Sequence, residues 1–113
     1  MRVKKRKIKR KFVANKKTNL IISNVGEILL GTNEHLTINV LNKKNEICTM
    51  NWGLYATSSI NSRLKKEGFL TAFTKNSFNK FFVMLIDKKK IKNFKNYCKV
   101  EKIKVIKWLD KSN

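Results

Sequence analysis

The chain has no proline, four glycines, two cysteines, one histidine and only seven carboxylates among 113 residues. Each shortage excludes something. Metal-dependent hydrolysis needs two or three carboxylates converging at one place. Of Glu27, Glu34, Glu46, Glu67, Asp87, Glu101 and Asp110, only Asp87 and Asp110 sit near adjacent strand ends. Asp87 reads as a helix cap and Asp110 as a surface residue. The glycines form neither a phosphate-binding loop nor a dinucleotide fingerprint, and there is no nucleophile elbow. Cys48 and Cys98 lack metal-ligand spacing. No enzyme, cofactor or metal is expected. Each cysteine lies in an apolar pattern and reads as a buried thiol in a reducing compartment, with a disulfide as the alternative. His35 reads as a surface turn residue.

Long apolar runs are also missing. None approaches the ~20 residues of a membrane span, and the N-terminus has no apolar secretory core. No membrane partner and no small-molecule substrate are expected. The start is basic and acid-free, which partly fits a mitochondrial transit peptide. It is mostly lysine and has no serine before Ser23, so a permanent arm fits better. Heavy use of Lys, Asn and Ile without Pro suggests an AT-rich gene of the organellar, parasite or endosymbiont kind.

Positive charge is what the chain has in excess. Lys and Arg number 27, for a formal net charge of +20. Ten of them crowd the first 17 positions: Arg2, Lys4, Lys5, Arg6, Lys7, Lys9, Arg10, Lys11, Lys16 and Lys17. Such a segment cannot bury enough to fold alone, and like charges keep it extended. Residues 1–19 are therefore expected to be a basic RNA-binding arm, with Ile8, Phe12 and Val13 as possible anchors. Residues 20–113 are expected to form a single α/β domain. Self-repulsion at this charge destabilises a compact monomer, and an anionic partner would stabilise it by mass action.

Along the domain, Leu20 to Ile22 is a short apolar stretch ending at Ser23-Asn24. Glu27 to Thr32 reads as a strand. His35 to Leu41 alternates, with Leu36, Ile38 and Val40 on one face. Asn42 to Asn45 reads as a hairpin turn, and Glu46 to Asn51 as the third strand of a meander. Thr57, Ser58 and Ser59 are N-cap types, followed by Ile60 and Leu64 near helical spacing up to Gly68. The segment Phe69 to Phe78 has no clear period. Phe81 to Ile86 reads as a central strand buried on both faces. Ile91, Phe94 and Cys98 recur at i, i+3, i+7 in an amphipathic helix capped by Asp87. Ile103 to Leu109 is the last strand, parallel to Phe81–Ile86 through a right-handed crossover. The expected order is β-β-β-α-β-α-β in one mixed sheet with two helices.

Three further basic groups are placed by this fold: Lys43 and Lys44 at a hairpin tip, Arg63, Lys65 and Lys66 in one turn, and Lys88, Lys89, Lys90 with Lys92 at a helix start, where backbone N–H groups meet phosphate readily. Trp52 and Tyr55 offer surfaces on which bases stack, with core or rim packing the equal alternative for Trp52, whereas Trp108 reads as packing. The expected partner is nucleic acid.

Residues Asn33 to Gly53, together with Ser62-Arg63, Lys65-Lys66 and the closing strand–helix–strand with Asp110, resemble the small-ribosomal-subunit protein eleven family. Asn33 matches its turn, Leu36, Ile38 and Val40 its alternating strand, and Asn45, Ile47 and Gly53 the returning strand. The family's Gly-Pro-Gly turn is replaced here by Asp87-Lys88-Lys89. The segment from Gly53 to Phe81 is shorter, and no Pro-, His- and Arg-rich tail follows before Asn113. The resemblance implies an RNase H-like ribosomal protein fold, with Asn33 and the Ser62–Lys66 loop on RNA. It also implies a structural role on the platform of the small subunit, beside ribosomal RNA and neighbouring subunit proteins, in a mitochondrion, another organelle or a bacterial cytoplasm. Large-subunit protein eighteen, another RNA-binding protein, or a small RNase H-like nuclease are the alternatives.

Overall fold

The computed structural model describes residues 1–111, which divide into two compact units. The first unit holds residues 1–34 with Thr49–Leu54, and the second His35–Cys48 with Tyr55 onward.

In the first unit β1 (Arg2–Asn15) pairs antiparallel with β2 (Leu20–Leu29). The segment expected as a basic arm over residues 1–19 thus holds one strand of a hairpin. The segment is extended, as its charge demands, but its backbone is not free. The Lys16–Asn19 turn reverses the chain, with Asn19 at φ 56 and the Asn15 carboxamide accepting from the Lys17 N–H at 3.0 Å, a local bond that favours turns. β-branched and aromatic cross-strand pairs follow, Val13 with Ile21 and Phe12 with Ile22. The stretch Leu20–Ile22 and the strand expected from Glu27 are thus one strand.

β3 (His35–Val40), β4 (Lys43–Met50) and β5 (Gly53–Ala56) form a three-stranded sheet in that order. The β3–β4 register runs from His35 opposite Cys48 to Val40 opposite Lys43. The turn is Leu41-Asn42, both at positive φ (53 and 62), the two-residue geometry that matches strand twist. Lys43 and Lys44 therefore begin β4 rather than sit in the turn.

The remaining elements are α1 (Arg63–Lys66), β6 (Phe69–Lys75), β7 (Phe81–Asp87), α2 (Ile91–Glu101) and β8 (Lys104–Trp108). The sheet order is β7-β6-β8, and β6 is antiparallel to both neighbours. Two expectations fall here. The unread segment after Gly68 is the central strand, and Phe81–Ile86 lies at an edge. β7 and β8 do share a direction, but they do not pair, because β6 lies between them. The expected single mixed sheet is replaced, among the described residues, by one two-stranded and two three-stranded sheets. The coarser class, mixed α/β with two helices, holds.

β6 takes the central place because it is buried on both faces. Thr71 and Ala72, which point to opposite faces, are fully buried, as is Thr74. Leu64, Phe69, Ile86 and Cys98 complete the core. α1 is a single turn: the Ser59 hydroxyl accepts from the Arg63 N–H at 2.9 Å, and Gly68 at φ 96 ends it. α2 sets Phe94 edge-on to Trp108 at 5.9 Å. It stops at Lys102, in the left-handed region, where the Ile103 N–H reaches the Cys98 carbonyl at 2.8 Å. Asp87 caps the turn before α2, its carboxylate accepting from the Lys89 N–H at 3.0 Å.

Candidate nucleic-acid interface

The first basic surface is the β1–β2 hairpin. β1 carries Arg2, Lys4, Lys5, Arg6, Lys7, Lys9, Arg10 and Lys11 with no carboxylate, and β2 carries only Glu27. Arg2, Lys4, Lys5, Lys7, Arg10 and Lys11 are exposed along the strand, and Lys16 and Lys17 are exposed in the turn. Arg6 is different. It is half-buried, and its guanidinium donates to the Asn24 carboxamide at 3.0 Å and the Glu27 carboxylate at 3.3 Å. Apolar side chains are interleaved with this charge and are not buried: Val3, Ile8, Phe12, Val13, Ile21, Ile22, Val25 and Ile28 are all exposed. A two-stranded hairpin without a packed face is marginal in water.

The second basic surface lies in the other unit, around Gly68. The Lys43 side chain rests there, its ammonium within 2.7 Å of where a Gly68 Cβ would stand. The Gly68 carbonyl accepts from the Lys88 N–H at 2.9 Å, which brings the start of the Lys88–Lys90 turn to the same corner. Lys65 and Lys66 immediately precede the glycine, and Lys65 reaches the Asp110 carbonyl at 3.4 Å. The three groups that the sequence separates are thus drawn to one glycine. Arg63 is turned to Glu46 at 3.2 Å, and the same carboxylate faces His35 at 3.6 Å. Lys44, Lys66, Lys89 and Lys90 remain exposed.

Asn33, placed on RNA by resemblance, is exposed and sits in the left-handed region at φ 61, its N–H donating to the Thr49 carbonyl at 3.1 Å. Trp52 is 68% exposed in the turn between β4 and β5. Trp108 packs on Phe94, as expected.

One basic pair escaped the sequence reading. Lys75 on β6 lies opposite Lys104 on β8. Like charges directly opposite are destabilising, and an anion between them would relieve this. Without β6 in the reading, nothing in the sequence brings the two together.

Several carboxylates are committed to structure. Asp87 caps a turn and Glu46 holds Arg63 and His35. Asp110, expected at the surface, is buried and accepts from the Thr71 N–H at 3.1 Å. The Gly31 amide, helped by the chain's amino group at 3.3 Å, holds the Glu34 carboxyl below its ordinary range. No cluster of three or more metal-ligating side chains occurs among the described residues. Neither cysteine is in a disulfide; Cys98 is buried and Cys48 half-buried.

Comparison of the chain with models of protein families, with curated proteins and with solved structures finds no match.

Proposed function

We propose that this protein is a non-catalytic RNA-binding protein of a ribonucleoprotein, with the small ribosomal subunit as its assembly. Ribosomal RNA at the platform and neighbouring subunit proteins are its partners, and the mitochondrial ribosome is its setting. The observation that carries the RNA reading is the hairpin: one strand bearing eight cations and no carboxylate, with its apolar side chains left exposed. Cations without counter-charges on the chain call for phosphates. Exposed apolar side chains between them suit the splayed bases of looped or single-stranded RNA better than a uniform duplex. The ribosomal assignment is supported by the likeness of Asn33–Gly53 to protein eleven, and the mitochondrial one by residue usage.

Lysines and arginines on the hairpin and around Gly68 neutralise phosphates where RNA segments would otherwise repel one another. If six to ten phosphates are engaged, affinity falls by roughly 10³–10⁵ between 50 and 200 mM salt. Fluorescence anisotropy with ribosomal RNA fragments across that range tests this, and a flat salt response refutes it. Sedimentation of tagged protein through a sucrose gradient tests the assembly. Co-migration with the small subunit is expected. Co-migration with the large subunit replaces the small-subunit assignment by the large-subunit alternative, and co-migration with no subunit removes the ribosomal assignment while leaving RNA binding to the first assay.

A further inference from the structure

The ladder of the β1–β2 hairpin breaks at one place. Lys5 is opposite Gly26 and Arg10 is opposite Asn24, so β1 advances five residues while β2 advances two. Three residues of β1 are extra, and a bulge of that size gives up ladder hydrogen bonds. Something must hold it in shape, and Arg6 does. Its Nε donates to the Asn24 side-chain oxygen at 3.0 Å, an oxygen that also accepts from the Gly26 N–H at 3.1 Å. Its other end lies 3.3 Å from Glu27. Gly26 makes the clasp possible, since a Cβ there would collide with the Lys4 carbonyl. The bulge is thus clamped at its base by three residues of β2.

The clamp leaves its neighbours turned outward. Lys4, Lys5 and Lys7 are exposed, and Ile8 is 88% exposed. Lys4, Lys5, Arg6, Lys7, Ile8 and Glu27 line a cleft of about 330 Å³. Four cations there face one carboxylate, which Arg6 already engages. The cleft is therefore positive, and one wall of it, Arg6 with Glu27, is held by side-chain hydrogen bonds. An isoleucine this exposed adds nothing to the packing of the hairpin.

Resting on the RNA-binding reading above, the geometry points to a preformed phosphodiester site at this bulge. One backbone phosphate of single-stranded RNA lies against Lys4, Lys5 and Lys7, and the adjoining base lies against Ile8. The lysines act as point charges, and apolar side chains of this kind insert between unstacked bases. Arg6 is a positioning residue, occupied by Asn24 and Glu27.

The test uses the full chain and two probes: a mixed-sequence 12-nucleotide single-stranded RNA, and inorganic polyphosphate, which has the charge but no bases. Ile8→Ala weakens the RNA about fivefold and leaves polyphosphate unchanged. Glu27→Gln removes the cleft's carboxylate and tightens both probes more than Glu67→Gln, the same charge change on an exposed residue of the other unit. If Ile8→Ala acts equally on both probes, or Glu27→Gln matches Glu67→Gln, the site is refuted while RNA binding stands. A wild-type chain that fails to bind the RNA at all overturns the functional reading and the site together.

Discussion

The carboxylate of Asp110, 3% exposed, accepts the backbone N–H of Thr71 at 3.1 Å, while the Thr71 carbonyl accepts the Leu109 N–H at 2.8 Å. Asp110 thereby continues the β6–β8 ladder past the end of β8 with a side chain in place of backbone. A buried donor that loses its acceptor costs about 1–3 kcal/mol. Asp110→Ala is expected to lower stability by that much in urea denaturation. Asp110→Asn, which keeps an acceptor oxygen, should lose less. The Thr71 hydroxyl is buried without a hydrogen-bond partner, so Thr71→Val should be neutral or stabilising. Loss of any nuclease activity in Asp110→Ala would report damage to the fold, so Asp110→Asn is the variant that discriminates a catalytic role.

α2 is readable because period and burial agree, with Ile91, Phe94 and Cys98 at helical spacing. β3 is readable from the alternation of Leu36, Ile38 and Val40 alone, although Ile38 and Val40 are exposed. β6 was not readable. Its buried positions include Thr71 and Thr74, polar by alphabet but β-branched and packed, and Gly68 before it looks like a bend in a helix rather than a strand start. Losing β6 turned β7 into a central strand and made β7 and β8 neighbours. β1 was hidden because its lysines mask the alternation and its bulge breaks the register. The cations of the candidate interface are legible from composition. Their grouping at Gly68 is not, because it depends on where β6 begins. Arg6 reads as one more RNA-binding cation, since its partners Asn24 and Glu27 lie 18 and 21 residues away.

The β3–β4 turn is strained at Leu41. A leucine in the left-handed region costs roughly 1–2 kcal/mol, and both turn residues have positive φ. The double substitution Leu41→Asn with Asn42→Gly installs residues that adopt this geometry readily. It is expected to raise the unfolding free energy by about 1 kcal/mol. An unchanged or lowered urea midpoint would contradict the turn geometry.

Burial pushes the Cys98 thiol above its ordinary pKa. A raised thiol pKa means that the fold favours the protonated form. The corresponding stability is present below the free-thiol value of about 8.5 and is lost as pH rises through the higher folded value. Because the thiolate is the nucleophile, Cys98 should be alkylated by iodoacetamide more slowly than Cys48 at pH 8, with its rate still climbing above pH 9. Mass spectrometry of partly alkylated protein separates the two sites. Faster labelling of Cys98 would contradict its burial on the inner face of α2.

Within its sheet β7 pairs on one side only, and Phe81, Phe82 and Val83 are exposed in succession, with Phe78 79% exposed in the turn before them. An exposed apolar edge invites another strand. The net charge of +20 opposes this in the free protein by self-repulsion between copies. That repulsion is screened as the Debye length shrinks from about 30 Å at 0.01 M salt to about 3 Å at 1 M. Self-association of the RNA-free chain should therefore rise with salt, the opposite of its RNA binding. Val83→Lys places a charge on the edge opposite Phe73 and should suppress that rise at little cost in stability, since Val83 is exposed. Dynamic light scattering of both proteins across the salt range checks this. Equal association of wild type and Val83→Lys at high salt would locate the sticky surface elsewhere, with the unburied apolar residues of the β1–β2 hairpin the next to substitute.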